Sequence, residues 1–231
     1  TTINTILRGN DNYYLEVESN SRRKMALRGE VNIALVSFLL PFARDISGTL
    51  NLNSNLFIKD GAFELLGEAK LRNGYARIED FPMAFEQTVL DASFSQESIQ
   101  INQFQANFGG GSLRGDGFIQ LKGLNNIPLK IEAILDKANL QLNKSSSLLS
   151  SGNLILEGNW FPYSLRGNVE IRKGVISPDN SSNEKTIRKS KLLPEIVKED
   201  SFVPINADLN VNILGNQVRI EHPFIRVPIQ G

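Results

Sequence analysis

Apolar and polar residues alternate along much of this chain, and this period restricts the fold more than any other feature. The clearest segment is INADLNVNI (205–213), in which every second residue is Ile, Ala, Leu or Val and the residues between are Asn or Asp. Successive side chains of a strand point to opposite faces, so the pattern predicts a strand with one buried and one solvated face. The alternation recurs in YYLEVES (13–19), SGTLNLN (47–53), GSLRGDGFIQLKG (111–123), LKIEAIL (129–135) and QVRI (217–220). The sequence therefore predicts an all-β protein.

Two glycine-framed strands resemble each other and begin at residues 67 and 167. They read GEAKLRNG (67–74) and GNVEIRKG (167–174), and each follows a second shared motif, SGTLNL (47–52) or SGNLIL (151–156). Internal repetition of this kind indicates stacked units rather than a closed globule. We therefore expect residues 1–231 to form one continuous segment of about two units, each of ~100 residues, rather than separate domains.

Two stretches depart from the alternation. Residues 33–43 have apolar residues at helical spacing, at Ile33, Val36 and Leu40, and end at Pro41, which predicts one short amphipathic helix. Residues 178–200 are rich in Ser, Asn and charge, which predicts a polar insertion loop on the surface. Because this loop has no apolar face to bury, we expect it to be dispensable for folding.

Composition removes several classes of function. The chain has no cysteine and one histidine, His222, so thiolate and multi-imidazole metal sites are not expected and no catalytic group or cofactor is predicted. Its formal net charge of +0 argues against nucleic-acid binding. No apolar run is long enough to cross a bilayer, and the absence of a signal peptide before Thr1 suggests a piece of a longer protein.

The apolar face of such a sheet must be covered, which leaves two architectures open. A β-sandwich covers it with a second sheet, and turn signals every 8 to 12 residues are compatible with that fold. However, many of the inward positions carry Gly or Ala, which fill a core poorly. A long, strongly curved, mostly antiparallel sheet that encloses its own apolar groove is therefore the preferred prediction.

The segment SGNLILEGNWFPYSLRGNVEIRKGVISP (151–178) resembles the recurring pattern of the TamB family, from the translocation and assembly module of Gram-negative envelopes. The matching positions are Ser151, Gly152, Leu154, Leu156, Gly158, Pro162, Gly167, Ile171 and Gly174. In the first copy Ser47, Gly48, Leu50, Leu52, Gly67 and Gly74 match, while Phe63 or Glu64 stands where proline is usual. The resemblance implies a β-taco, an open curved sheet with a hydrophobic groove along its length.

The resemblance also implies a function and a location. Family members are anchored in the inner membrane by a helix outside this segment, cross the periplasm and dock on an outer-membrane barrel of the TamA or BamA type. They are thought to carry phospholipids between the membranes, so phospholipid acyl chains are the expected ligand. Neither a nucleic acid nor a metal is an expected partner, and an enzyme is the weakest candidate.

The expected groove-lining residues are the inward positions of the alternating strands. They are Leu50, Leu52, Leu71, Leu113, Ile119, Leu121, Leu129, Ile131, Leu135, Leu154, Leu156, Val169, Ile171, Ile205, Leu209, Val211, Ile213, Val218 and Ile220. Three alternatives remain open at this stage. The same residues are compatible with an ordinary packed core, with a β-sandwich binding module, or with a groove or sheet edge that assists outer-membrane protein assembly.

Overall fold

The structure, a computed structural model, describes residues 3–8, 13–21, 24–34, 43–59, 62–78, 83–122, 126–143, 145–177, 205–214, 217–222 and 225–229. Nearly all of these residues belong to strands of one sheet. The strands are β1 (Ile3–Arg8), β2 (Tyr14–Ser21), β3 (Lys24–Asn32), β4 (Ala43–Lys59), β5 (Ala62–Ile78), β6 (Ala84–Gln96), β7 (Ser98–Phe108), β8 (Gly111–Gln120), β9 (Leu129–Asn143), β10 (Ser146–Gly158), β11 (Tyr163–Ile176), β12 (Ile205–Ile213), β13 (Val218–His222) and β14 (Ile225–Ile229).

The first eleven strands form an antiparallel meander in which each strand pairs with the next one along the chain. The sheet is open, because β1 lies at one end of the strand order and β14 at the other. Extensive contacts between the described strands occur only between ladder neighbours, so these strands form no second layer over the sheet. The prediction of an all-β, mostly antiparallel, open curved sheet is therefore confirmed.

The predicted helix falls mostly outside the described residues. Ile33 and Ala34 form the start of a 3-10 turn, in which the Ala34 amide donates to the Asn32 side chain at 2.9 Å, and residues 35–42 are not described. The predicted insertion at 178–200 also lies outside the described part of the chain.

Curvature has two visible local causes. Non-glycine residues adopt φ near +50° at Asp45, Asn73, Gln87 and Lys137, and the ladders shift register at or beside these positions. Such bulges bend a strand and increase its twist. They lie towards the same ends of neighbouring strands, so the bends add up along the sheet.

Inward glycines supply the second cause. A Cβ built at Gly67 or Gly167 would overlap a backbone carbonyl oxygen of the adjacent strand, at Asn53 and Asn153 respectively. The strands approach each other this closely on the concave side because no side chain stands between them. Glycine therefore begins both copies of the repeated strand for a steric reason.

The last part of the sheet breaks the meander. β12 pairs in parallel with Tyr163–Ile171, and β13 pairs in parallel with Gly174–Ile176 on the same edge of β11. The start of β12 thus lies beside the start of β11, at the opposite end from Ser177. Parallel neighbours need a connection that returns along the length of the strand. Ser177 and Ile205, the described residues on either side of this connection, are therefore separated by up to about 40 Å at the rise of an extended strand.

Because of this geometry, β12 can pair with β11 only if the connection is long enough. The amino-acid sequence of the connection is not expected to matter. We expect that a six-residue Gly-Ser linker in place of residues 178–204 prevents β12 from pairing, because it reaches only about 20 Å. A Gly-Ser linker of about 20 residues should keep the melting temperature within about 3 °C of the parent. Thermal unfolding of both variants checks this, and an unchanged melting temperature with the short linker would contradict the parallel register.

Candidate functional site

Apolar residues form continuous rows across the concave face. Cross-strand partners in a ladder share a face, so the register defines each row. One row connects β4 to β12 through Leu52, Ala69, Ala92, Ile101, Gly117, Ile131, Leu156, Leu165 and Ala207. The next runs through Leu50, Leu71, Leu90, Phe104, Gly115, Ala133, Leu154, Gly167 and Leu209. No charged residue interrupts either row, so the face is an apolar trough that crosses the strands.

Nearly all the residues predicted to line a groove lie on this face, in the two rows above or in the parallel rows beside them. Leu113, Leu135, Val169 and Val211 make one further row, and Ile119 pairs with Leu129 in another. Ile171 pairs with Ile213, Tyr163 with Ile205, and Ile176 with Ile220. Val218 packs against Val169 and Ile171. Leu121 lies just past the end of β8 at the rim, with 41% of its surface exposed.

Sequence reasoning missed the trough residues of β6 and β7. These include Leu90, Ala92, Phe94, Ile99, Ile101 and Phe104. In β7 the inward positions change phase between Ile101 and Phe104, because the ladder with β8 shifts register there. A strict period of two fails across such a bulge. The available signal was the pair of alternating segments, SIQI (98–101) and FQANF (104–108), out of phase by one residue.

The convex face is mostly polar, although Leu66, Val89, Phe118 and Ile134 are exposed there, and several of its polar side chains pair with each other. Arg166 contacts Glu157 at 3.1 Å and Lys130 contacts Glu132 at 2.6 Å, with both pairs exposed. The Asn210 side-chain amide donates to the Asn168 side-chain oxygen at 3.3 Å. Exposed pairs of this type add little stability, but they show which face of the sheet water solvates.

Aromatic residues occupy both margins of the trough, where the strands end. At one margin Phe85 and Phe108 stack with ring centroids 4.8 Å apart, beside the buried Met83. At the other, Phe161 and Tyr163 make an edge contact at 4.9 Å. The Tyr163 hydroxyl donates to the Ile127 carbonyl at 3.1 Å, and burial raises the pKa of this phenol. These contacts pack the margins without forming a reactive group.

The trough is characterised by its shape and its apolar surface, and not by a cluster of reactive or metal-binding side chains among the described residues. Among the described residues, no group of three or more His, Cys, Asp or Glu side chains is placed to hold a metal ion. In the same part of the chain, no helix has the length and apolar character needed to cross a bilayer.

Comparison with known proteins identifies the family of this chain. The family profile described as the TamB C-terminal domain matches residues 102–231, which include β8 to β14 and most of β7. The chain belongs to the TamB family. TamB proteins are envelope proteins of a transport or assembly module, not known as enzymes, and they associate with the outer-membrane protein TamA. Their role lies in outer-membrane protein assembly or in envelope lipid transport. No curated protein and no solved structure matched the chain.

Proposed function

We propose that this TamB segment is part of an envelope-spanning bridge whose trough shields phospholipid acyl chains and conducts them between the inner and outer membranes. The trough belongs to the periplasmic part of an inner-membrane-anchored protein. The parent protein would dock on an outer-membrane barrel of the TamA or BamA type. The two copies of the glycine-framed strand then extend the same trough along one continuous segment.

One observation carries the proposal: the apolar rows are continuous across the sheet, and many of their residues are only partly covered, although Ala69, Leu71, Ala92 and Ile101 are buried. Leu52, Ile131, Leu156 and Leu209 all face the trough and are half-buried rather than buried. Each methylene moved from water to apolar surroundings contributes about 0.8 kcal/mol. An acyl chain of sixteen carbons therefore gains on the order of 10 kcal/mol from such a surface. Contacts of this kind lack direction, so a chain can slide from one row of residues to the next.

The trough suits a hydrocarbon better than a polypeptide. β7 to β11 are paired on both edges, so their backbone N–H and C=O groups are engaged in the ladders. The side chains of Ile119, Leu129, Ile131 and Leu156 supply no hydrogen-bonding atom. An extended peptide on this face would therefore leave backbone groups without partners, at a cost of roughly 1–3 kcal/mol each. An acyl chain has no such groups.

A second function is favoured by the edge of the sheet. β12 pairs only with β11, so its outer edge has no strand neighbour among the described residues. An edge of nine residues could add a strand of an outer-membrane client protein by β-augmentation. This activity would use backbone hydrogen bonds at β12 rather than the trough, and the two functions can therefore be tested separately.

The decisive experiment uses the alternation within β12. We expect a photo-crosslinking amino acid at Leu209 or Val211 of the full-length protein to capture phospholipid in cells, because both side chains face the trough and Val211 is 52% exposed. The same probe at Asn210 or Asn212, on the polar face, should capture none. All four positions lie within about 10 Å of strand at ~3.3 Å per residue, so they experience the same surroundings and differ mainly in direction.

Mass spectrometry of the crosslinked products distinguishes the outcomes. Equal lipid capture at all four positions would indicate incidental membrane contact. No lipid at Leu209 and Val211 would contradict the proposal. Protein adducts at all four positions, without lipid, would favour client assembly at the edge.

A further inference from the structure

The concave face is not uniformly open between β7 and β11. We define a dry lane as the residues nearest the margin that contains the Phe85–Phe108 stack: Ala106, Phe108, Leu113, Leu135, Ala138, Leu148, Val169 and Ile171. We define an open lane as the residues of β8 to β11 nearer the other margin: Ile119, Leu129, Ile131, Leu156 and Leu165. Ile101 of β7 and Tyr163 at the start of β11 lie on the same side of the trough, are buried, and limit this lane. Every dry-lane residue is buried, whereas every open-lane residue is half-buried.

The contrast is sharpest within β9, where a single strand contributes to both lanes. Ile131 and Leu135 are four residues apart and face the same side, yet Leu135 is only 2% exposed while Ile131 is half-buried. Ala138, farther along the strand, is fully buried. The change occurs just before Lys137, where a positive φ and a register shift bend the strand.

Side chains from several strands cover the dry lane. Met83 and Phe108 form a buried cluster with Leu113, Leu135 and Ala138, and Phe85 and Phe104 pack against it. A second cluster of Leu148, Val169, Ile171 and Val218 continues the cover towards β13. Phe104, Ala133 and Leu154 lie half-buried at the border between the lanes.

We propose that phospholipid acyl chains travel only along the open lane, and that the dry lane is a permanent core that holds the curved sheet in shape. This inference rests on the proposed function and assigns the path of its cargo. Close-packed interiors leave no room for an additional chain. To admit a chain to the dry lane, the aromatic residues would have to separate from Leu135 and Ala138. The open-lane residues, by contrast, are half-buried and already present part of their aliphatic surface.

The division ends at β12. Val211 stands in the same row as the buried Val169 but is 52% exposed, whereas its neighbours Leu209 and Ile213 on β12 pack against the second cluster. Both lanes are therefore accessible at this edge strand. Lipid capture is accordingly expected at both Leu209 and Val211, while the restriction to one lane applies to the interior strands.

The matched positions of β9 provide the test. In the 231-residue chain, Ile131→Trp places a bulky ring in the open lane, and Leu135→Trp overpacks the dry lane. We expect Ile131→Trp to keep the melting temperature within about 3 °C of wild type and to lower co-purified phospholipid roughly fivefold by native mass spectrometry. Leu135→Trp should lower the melting temperature by more than about 5 °C.

A truncation keeps the test informative if Leu135→Trp does not fold. Leu135→Ala should lower the melting temperature while leaving the lipid content of each folded molecule unchanged, because it widens no part of the path. The lane assignment is overturned if Leu135→Ala changes lipid content as much as Ile131→Trp does, or if Leu135→Trp is tolerated. Wild-type protein that carries no phospholipid at all would instead overturn the proposed function, and the two failures are therefore distinguishable.

Discussion

Replacing Gly167 by alanine is expected to destabilise the sheet strongly, although the added group is a single methyl. Gly167 has a φ of +158°, and a Cβ there would overlap the Asn153 carbonyl oxygen and lie 3.0 Å from Leu154 Cα. Both obstacles belong to the backbone of β10, so no side chain can rotate away. We expect a loss of about 3 kcal/mol, which for a chain of this size lowers the melting temperature by roughly 6–12 °C.

Gly110→Ala is the matched control for this effect. Gly110 also has a positive φ, +74°, in the two-residue turn between β7 and β8, but nothing lies within 4 Å of the point that a Cβ would occupy. The control thus retains the conformational penalty of about 1–2 kcal/mol and lacks the collision. Thermal unfolding followed by circular dichroism compares the two variants. Equal losses would show that backbone conformation, rather than close strand approach, explains the glycine at 167.

Leu156→Arg is expected to abolish most lipid carriage while leaving the protein folded. Leu156 is half-buried in the open lane of a central strand, between Ile131 and Leu165. A guanidinium at this position puts a charge in the path of an acyl chain, and desolvating it costs several kcal/mol. In an open trough the long side chain can extend to water, so stability should fall by no more than about 2 kcal/mol. A closed sandwich core would instead unfold.

The control for this variant is Asn153→Arg, in the same strand. Asn153 is exposed on the convex face and pairs with Ile134 and Asn168. The Asn153→Arg substitution adds the same charge as Leu156→Arg but outside the trough. The phospholipid content of this variant, measured by native mass spectrometry, should therefore match that of the wild type. Transport in cells provides a second measurement. A folded Leu156→Arg protein with wild-type lipid content would contradict the proposed trough, and an unfolded one would favour a packed core.

Local pattern was sufficient to assign the strands and their faces wherever the alternation is regular. In β9 and β12 the period of two determines which side chains share a side, because a residue's direction in a strand depends only on its position in the pleat. The paired glycines at 67 and 167 also indicated the repetition. The resemblance that these residues carry to the TamB family is confirmed by the family profile.

Local pattern failed where the outcome depends on a neighbouring strand. The bulge between Ile101 and Phe104 changes the phase of β7, and its position is defined by the ladders with β6 and β8. The parallel pairing of β12 with β11 is likewise not encoded in INADLNVNI, because the same alternating residues could pair in either direction.

The sequence by itself thus determined a one-sided apolar sheet, whereas the tertiary structure decided which parts of the apolar side stay open. Ile131 and Leu135 are indistinguishable in sequence, as two aliphatic residues in phase on one strand. Leu135 is buried because residues from β7 and β8, together with Met83 before β6, pack against it next to the bend in β9. The face to which a side chain points is set by the local backbone of its own strand. The burial of that side chain depends instead on residues that other strands place against it.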